Sequence, residues 1–234
     1  MARHPEAIRL RRKGIKYEHY RDLNQRWLKD LDISTVLDVG ANVGDFARLA
    51  REVFPSAAIY SFEPLPDCFA KLKGALPGDT NFFPVESGIG RREETLDFYP
   101  SHHSPSSSFL RMEEFHKKAF PESKNGQADS PIKLRTRRLD SLLEGEDLQK
   151  NILLKIDVQG FEIEVLAGAS DTLSRSEVII IEMSFANLYK GQPLFHDAYE
   201  ALYGNGYRFH GSLAQMVHPE TGEIVQTDAI FVKE

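Results

Sequence analysis

This chain has one cysteine, Cys68, and no apolar run near the roughly 18 residues that a membrane span requires. A single thiol excludes an internal disulfide framework and fits a reducing compartment. The N-terminal stretch "MARHPEAIRLRRKGIKYEHY" is charged but lacks the apolar segment of a secretory signal, so a cytoplasmic location without membrane insertion is expected. Basic excess is missing too: the formal net charge is -6, which argues against nucleic acid as a partner. Internal repeats and low-complexity tracts are absent beyond a short serine run. Cys68 falls in "DCFAKLKGAL", a helical pattern in which it reads as a small core residue.

What is present is an ordinary soluble composition, 41% hydrophobic and 27% charged, in 234 residues. That length suits one α/β domain with a sizeable core. The first thirty residues carry a local charge of +5, leaving about -11 on the remainder. They read as a basic helical arm, solvated and partly mobile, with Leu23, Trp27, Leu28 and Leu31 spaced to bury one helical face. A lid or substrate-recruiting role is the alternative. Residues 31–234 form the domain proper. "STVLDVG", "AAIYSFEP" and "NFFPVESGIG" read as strands separated by helices over 43–54 and 66–76. "NILLKIDV" and "EVIIIEMS" continue the pattern after an irregular middle, with a helix at 160–169 between them. This alternation predicts a mostly parallel sheet with helices on both faces. "ETLDFYP" and "IKLRTRRLD" are expected to pair antiparallel. "GYRFHGSL" and "TDAIFVKE", after a helix at 195–203, are expected to close the sheet as an antiparallel pair. Residues 101–131, with "SHHSPSSSF", carry little strand signal and read as a functional loop or a mobile one.

The stretch "VLDVGANVGDF" decides the ligand. Gly40 and Gly44 mark a strand-to-helix turn where backbone can approach a ligand and helix N–H groups are free. A dinucleotide fingerprint would read GxGxxG, but Asn42 replaces its second glycine where a pyrophosphate needs close approach. Asp38 would sit badly beside a pyrophosphate and well beside a cation. Glu63 ends the second strand nineteen residues after Gly44, a spacing at which an acid accepts both hydroxyls of a ribose. A nucleoside with a cationic tail, S-adenosylmethionine, satisfies all three features.

Four blocks, "VLDVGANVGDF", "YSFEP", "LLKIDVQGFEIEVLAGA" and "VIIIEMS", resemble the FkbM-type S-adenosylmethionine-dependent methyltransferases over roughly residues 35–185. "SSSF" (106–109) is similar to a Ser-Ser-hydrophobe segment of that family. The resemblance implies a Rossmann-like class I methyltransferase fold and O-methylation of a sugar, glycan or secondary metabolite. It implies that Asp38, Gly40, Asn42 and Gly44 line the methionine side of the cofactor, that Glu63 holds the ribose, and that Glu86, Ser87 and Gly88 lie by the adenine. It also places Ser107 and Ser108 near the substrate. Gln159 stands where the family usually has Glu, and cannot act as a carboxylate base.

The residues themselves supply the candidates for chemistry. An alcohol needs a group to take its proton as it attacks the methyl carbon. Asp157, ending an apolar strand, is the first candidate for that role or for cofactor contact, against a helix N-cap. Glu182 has the same logic at the end of "VIIIE", against a buried pair with Lys155. Lys155 shares a strand face with Asp157 and can set its ionisation. His102 and His103 titrate in the right range, against solvent-exposed loop histidines. Gln159 and Glu162 are substrate-side candidates, Glu162 being equally placed to favour a helix N-terminus. No HExxH, cysteine pair or tight DxD cluster occurs, so no metal is assigned, and a divalent ion on Asp157, Glu182 and a histidine is the lesser alternative. The rival readings are an NAD(P)-dependent oxidoreductase, which would need GxGxxG, and a non-catalytic binding module, which would have lost the glycines or Glu63. A homodimer is left open.

Overall fold

Runs of apolar residues covered on both faces make the central strands, and the turns between them carry the polar groups. A computed structural model describes residues 5–120, 123, 126–148 and 150–234. Residues 1–4 of the basic arm and 121, 122, 124 and 125 of the serine-rich loop lie outside the described residues. Three short helices, α1 (Pro5–Arg12), α2 (Tyr17–Leu23) and α3 (Arg26–Lys29), precede β1 (Thr35–Val39). Then follow α4 (Asp45–Val53), β2 (Ala58–Glu63), α5 (Pro66–Leu72), β3 (Phe82–Glu86), β4 (Gly88–Ile89) and β5 (Glu94–Phe98). After α6 (Glu114–Ala119) come β6 (Ile132–Arg137), α7 (Leu139–Leu142), β7 (Ile152–Ile156), α8 (Glu162–Ala167) and α9 (Ser170–Arg175). The chain ends with β8 (Ser176–Ser184), α10 (Phe195–Gly204), β9 (Tyr207–Val217) and β10 (Ile224–Lys233).

Seven strands form one sheet in the order β3-β2-β1-β7-β8-β10-β9. The first five are parallel, and β10 runs antiparallel to both β8 and β9. The expected mixed sheet is therefore present. Pro84 costs no ladder bond in the interior because β3 is an edge strand. Alternate residues of each strand feed the two faces. Val36, Ile59, Leu153 and Ile180 join one buried cluster, and Leu37, Leu154, Ile179 and Ile181 the other. β4, β6 and β5 make a second, three-stranded sheet, with β5 and β6 antiparallel as expected. Among the described residues, no helix is long and apolar enough to cross a membrane.

Two expectations change. The arm is no solvated leader: Leu10, Ile15, Tyr20, Leu23 and Leu28 are buried in the same cluster as Val36 and Leu153. Its charged side chains mostly face water, and Arg9 and Lys13 both bond Glu52 of α4. The helix predicted through Leu23 and Leu31 breaks at Gln25, whose backbone is extended. Trp27 and Leu31 still pack against the cluster. Strand pairing also enters the stretch with little strand signal: among the described residues, bridges join Tyr99 to Ser108, Ser101 to Gln127 and Met112 to Tyr189.

Replacing Leu23, 1% exposed, by alanine is expected to lower the unfolding free energy by about 2–5 kcal/mol in urea titrations. A loss below about 0.5 kcal/mol, the size of a surface substitution, would mean that the arm does not share the core.

Candidate active site

The turn after β1 is shaped by close approach. Gly40 has φ +84°, and a Cβ there would lie 1.9 Å from the backbone oxygen of Asp157, so only glycine lets the β1 and β7 loops meet. The Gly40 and Ala41 N–H groups donate to the Phe62 carbonyl. Asn42 takes a left-handed backbone, φ +48°, which aims its N–H at Glu63 Oε2, 2.8 Å away. Glu63 Oε1 accepts from the Leu65 N–H at 2.9 Å. The Glu63 carboxyl, 5% exposed, is thus fixed at the tip of β2. Burial pushes its pKa up to about 7, against those two backbone bonds.

A charge network lies behind this turn. Asp38, Lys155 and Ser61 are register partners on β1, β7 and β2. Lys155 Nζ sits 3.1 Å from Asp157 Oδ2 and 3.7 Å from Asp38 Oδ1. Burial alone would strip the lysine of its proton, but Asp157, Asp38 and Asp228 hold it charged, above the ordinary lysine range. Burial works against charge on Asp157 as well, yet Lys155 and Gln159 hold that carboxyl below its usual range. Glu182 goes the other way. Burial, then Asp157, Glu162 and Asp228, push it well above a normal glutamate. Gln159 Nε2 donates to Asp157 Oδ1 at 2.9 Å and to Glu182 Oε2 at 2.6 Å. The two carboxyls therefore form a dyad whose members are pushed apart, Asp157 toward the charged form and Glu182 toward the protonated one. Gln159 has φ +56°, a conformation that costs a non-glycine residue about 1–3 kcal/mol. The Tyr189 hydroxyl donates to its Oε1 at 2.8 Å, and Ser108 Oγ donates to its carbonyl at 2.6 Å.

In front of the network is a cavity of about 200 Å³. Gly40, Asn42, Glu63, Ser87, Gly88, Ser107, Asp157, Gln159 and Glu182, all candidates from the sequence, line it. Phe62, Leu65, Ile89, Phe98 and Phe109 give it an apolar side. Among the described residues that line it, the charged groups are Glu63, Asp157 and Glu182, with no lysine, arginine or histidine. A second, more open cleft of about 420 Å³ lies across Gln159 and Glu182, which line both spaces.

Several candidates take other places. Asp38 is fully buried beneath the cavity wall, accepting from Ser61 Oγ at 3.3 Å, with Oδ1 lacking a hydrogen-bond partner. Burial raises its pKa against the pull of Lys155. Lys155 likewise stands behind the wall. Gly44 is a packing glycine, since a Cβ would lie 2.5 Å from Ala75 Cβ. Glu86 is exposed at the end of the edge strand. Ser108 is buried and bonds Gln159 and the Leu110 N–H. Glu162 turns back on its own loop, Oε1 accepting from the Gly160 N–H at 3.0 Å, and burial raises its pKa to about 7. His102 and His103 are exposed; His103 lines the open cleft and neither lines the cavity. Among the described residues, no group of three His, Cys, Asp or Glu is placed to hold a metal.

Phe98, Phe109, Tyr189 and Asp228 escape the sequence reading. Phe109 closes the quoted "SSSF" and meets Phe98 edge-on at 4.8 Å, so an aromatic beside that segment was the available signal. Asp228 is the register partner of Glu182 across β10 and β8, a pairing no local pattern announces. Burial raises its pKa to about 6.

This geometry can be set beside known proteins. The chain is 32% identical over 163 residues to the 2-O-methyltransferase NoeI of Sinorhizobium fredii, covering 67% of this chain and 66% of the relative. It is 26% identical over 170 residues to the hexuronic acid methyltransferase AglP of Haloferax volcanii, covering 69% and 61%. This chain thus spans just under two thirds of the length of these relatives. A crystal structure of methyltransferase FkbM from Methylobacillus flagellatus superposes with TM-score 0.55 at 14% identity, over 90% of this chain and 47% of that one, and supports the fold. The sequence pattern of the methyltransferase FkbM domain matches residues 38–209, a stretch that takes in the β1 turn, Glu63, the Asp157–Glu182 dyad and β8, and the chain belongs to that family.

Proposed function

We propose that the cavity in front of the network binds S-adenosylmethionine and that the chain transfers its methyl group to a hydroxyl oxygen of a sugar or secondary metabolite. The single observation that carries this is the sign of the wall. Three carboxyls and no cationic side chain would repel a diphosphate and attract a sulfonium and an ammonium. That charge pattern disfavours the NAD(P) alternative, and the intact dyad disfavours a binding-only module. Two relatives are a 2-O-methyltransferase and a hexuronic acid methyltransferase, which supports an oxygen acceptor on a sugar.

Fit follows from the donor set. Glu63 keeps lone pairs for a ribose at the tip of β2, and Leu65, Ile89 and Phe109 offer apolar contact to an adenine. Once bound, the cofactor supplies a methyl carbon activated by its sulfonium. The protein does the rest. Glu182, reachable from both cavity and cleft, meets the acceptor hydroxyl. The Asp157–Glu182 dyad, carrying one negative charge, takes up the hydroxyl proton as the oxygen attacks. Gln159 keeps the two carboxyls in register through its shared N–H group, and Tyr189 keeps Gln159 in place. Lys155 prevents Asp157 from taking a proton too early.

Three outcomes test this. S-adenosylhomocysteine should raise the melting temperature and NAD should not; a rise with NAD alone would retire the reading. Glu63 must be ionised to accept two hydroxyls, and its free pKa is about 7. Affinity for S-adenosylhomocysteine should therefore fall as pH drops through 7, and binding near pH 7 should release a proton. Calorimetry in buffers of different ionisation enthalpy reads this directly, and pH-independent affinity contradicts the ribose role. Glu182→Gln and Asp157→Asn should each lower turnover about 10²–10⁴-fold with near-normal S-adenosylhomocysteine affinity. Retained turnover in both removes the dyad from the chemistry.

A further inference from the structure

The open cleft beyond Glu182 has two unlike ends. Its floor is the sheet, where Glu182 of β8 and Asp228 of β10 stand opposite each other and share a face. Gln159, Gln215 and Gln226 surround them with amides suited to hydroxyl groups. Its lip is the N-terminal segment, which contributes Lys16 and His19, with His103 joining from the serine-rich loop.

The lip is held in place. Ile15 on one side of Lys16 and Tyr20 and Leu23 on the other are buried in the main core, so Lys16 rides on an anchored turn. Four other bases of the segment are occupied, Arg9 and Lys13 by Glu52, Arg21 by Asp22 and Arg26 by Asp30, and Arg11, Arg12 and Lys29, unpaired among the described residues, do not line the cleft. Among the described residues Lys16 has no ion pair, although acids line the far side of the same cleft. His19 lies close enough for the Lys16 charge, after burial, to disfavour its protonation. The lip therefore presents one full positive charge flanked by imidazole hydrogen-bonding groups.

We propose that the acceptor is a polyhydroxylated ring carrying a carboxylate, and that Lys16 recognises that carboxylate while the reacting hydroxyl rests on Glu182. This names the acceptor class for the methyl transfer proposed above and rests on that reading. One cation with imidazole partners matches a monoanion. A doubly charged phosphate would meet too little positive charge at the lip and repulsion from Asp228 and Asp157 beyond it. Lys16 is thus a specificity-determining residue, and the basic segment that carries it is a wall of the acceptor site.

The test uses the full chain saturated with S-adenosylhomocysteine. Methyl pyranosiduronates of gluco, galacto and manno configuration are compared with their neutral parent pyranosides by titration calorimetry and saturation-transfer NMR. At least one uronate should bind tenfold or more tightly than its neutral parent, with the difference shrinking as salt is added. Lys16→Glu should abolish the preference, and Lys16→Arg should keep it. Melting temperature should hold in both, since Lys16 is exposed. Equal binding of uronate and parent, binding of neither, or a preference untouched by Lys16→Glu would overturn the proposal. Failure of S-adenosylhomocysteine to bind wild type strikes the methyltransferase reading instead, so the two failures are distinct.

Discussion

A single ammonium group governs the chemistry of this sheet. Lys155 stands on β7 with Asp38 beside it on β1 and Asp157 two residues on, and Asp228 contributes its field from β10. Placing this many acids under the carboxyl ends of apolar strands is costly unless charge is balanced locally. The lysine supplies that balance for Asp157, while at Glu182 burial and three acids outweigh it. Two carboxyls joined by the same glutamine are thus pushed in opposite directions, Asp157 toward charge and Glu182 toward the protonated form. Removing one partner of such a buried pair costs about 3–5 kcal/mol, so the arrangement is fixed by stability as well as by function.

The same economy shapes the loop between β1 and α4. Gly40 lets the backbone after β7 pass close enough for Asp157 to reach the cavity, and Asn42 turns its N–H onto Glu63. Both carboxyl groups are held by backbone or amide donors, so neither needs a cation on the cavity side. A wall that is anionic follows from that local bonding. Its sign is the property that separates a sulfonium donor from a dinucleotide on folds that otherwise look alike.

Most strands and their order of alternation were legible because buried parallel strands read as unbroken apolar runs, as "NILLKIDV" does. The glycine loop, Glu63, Asp157 and Glu182 were legible for a related reason: polar residues that end such runs stand out. What misled was treating position near a strand end as exposure to the cavity. Asp38 and Lys155 point to the sheet face opposite Leu37 and Leu154, and Gly44 serves helix packing against Ala75. Side-chain period within the strand carries that information, and it only becomes decisive once the register of β1, β2 and β7 is known. Asp228 and the docking of Leu10, Tyr20 and Leu23 depend on contacts between distant segments, where a basic composition suggested a free arm.

Under the proposed reaction, the anionic wall and the catalytic dyad do different work. A sulfonium is attracted to the Asp157 carboxylate most strongly while its charge is whole. That charge spreads in the transition state, so the attraction favours binding over rate. Acceleration must come from effects that grow along the reaction. One is alignment of oxygen, methyl and sulfur, worth about 7–11 kcal/mol at its upper range. The other is the dyad's capacity for the hydroxyl proton. Because Lys155 keeps Asp157 ionised, that capacity exists before the acceptor arrives, and the positive charge lost from the cofactor is matched by the negative charge lost from the dyad. A site with two neutral carboxyls would bind the cofactor less well and have nowhere to put the proton.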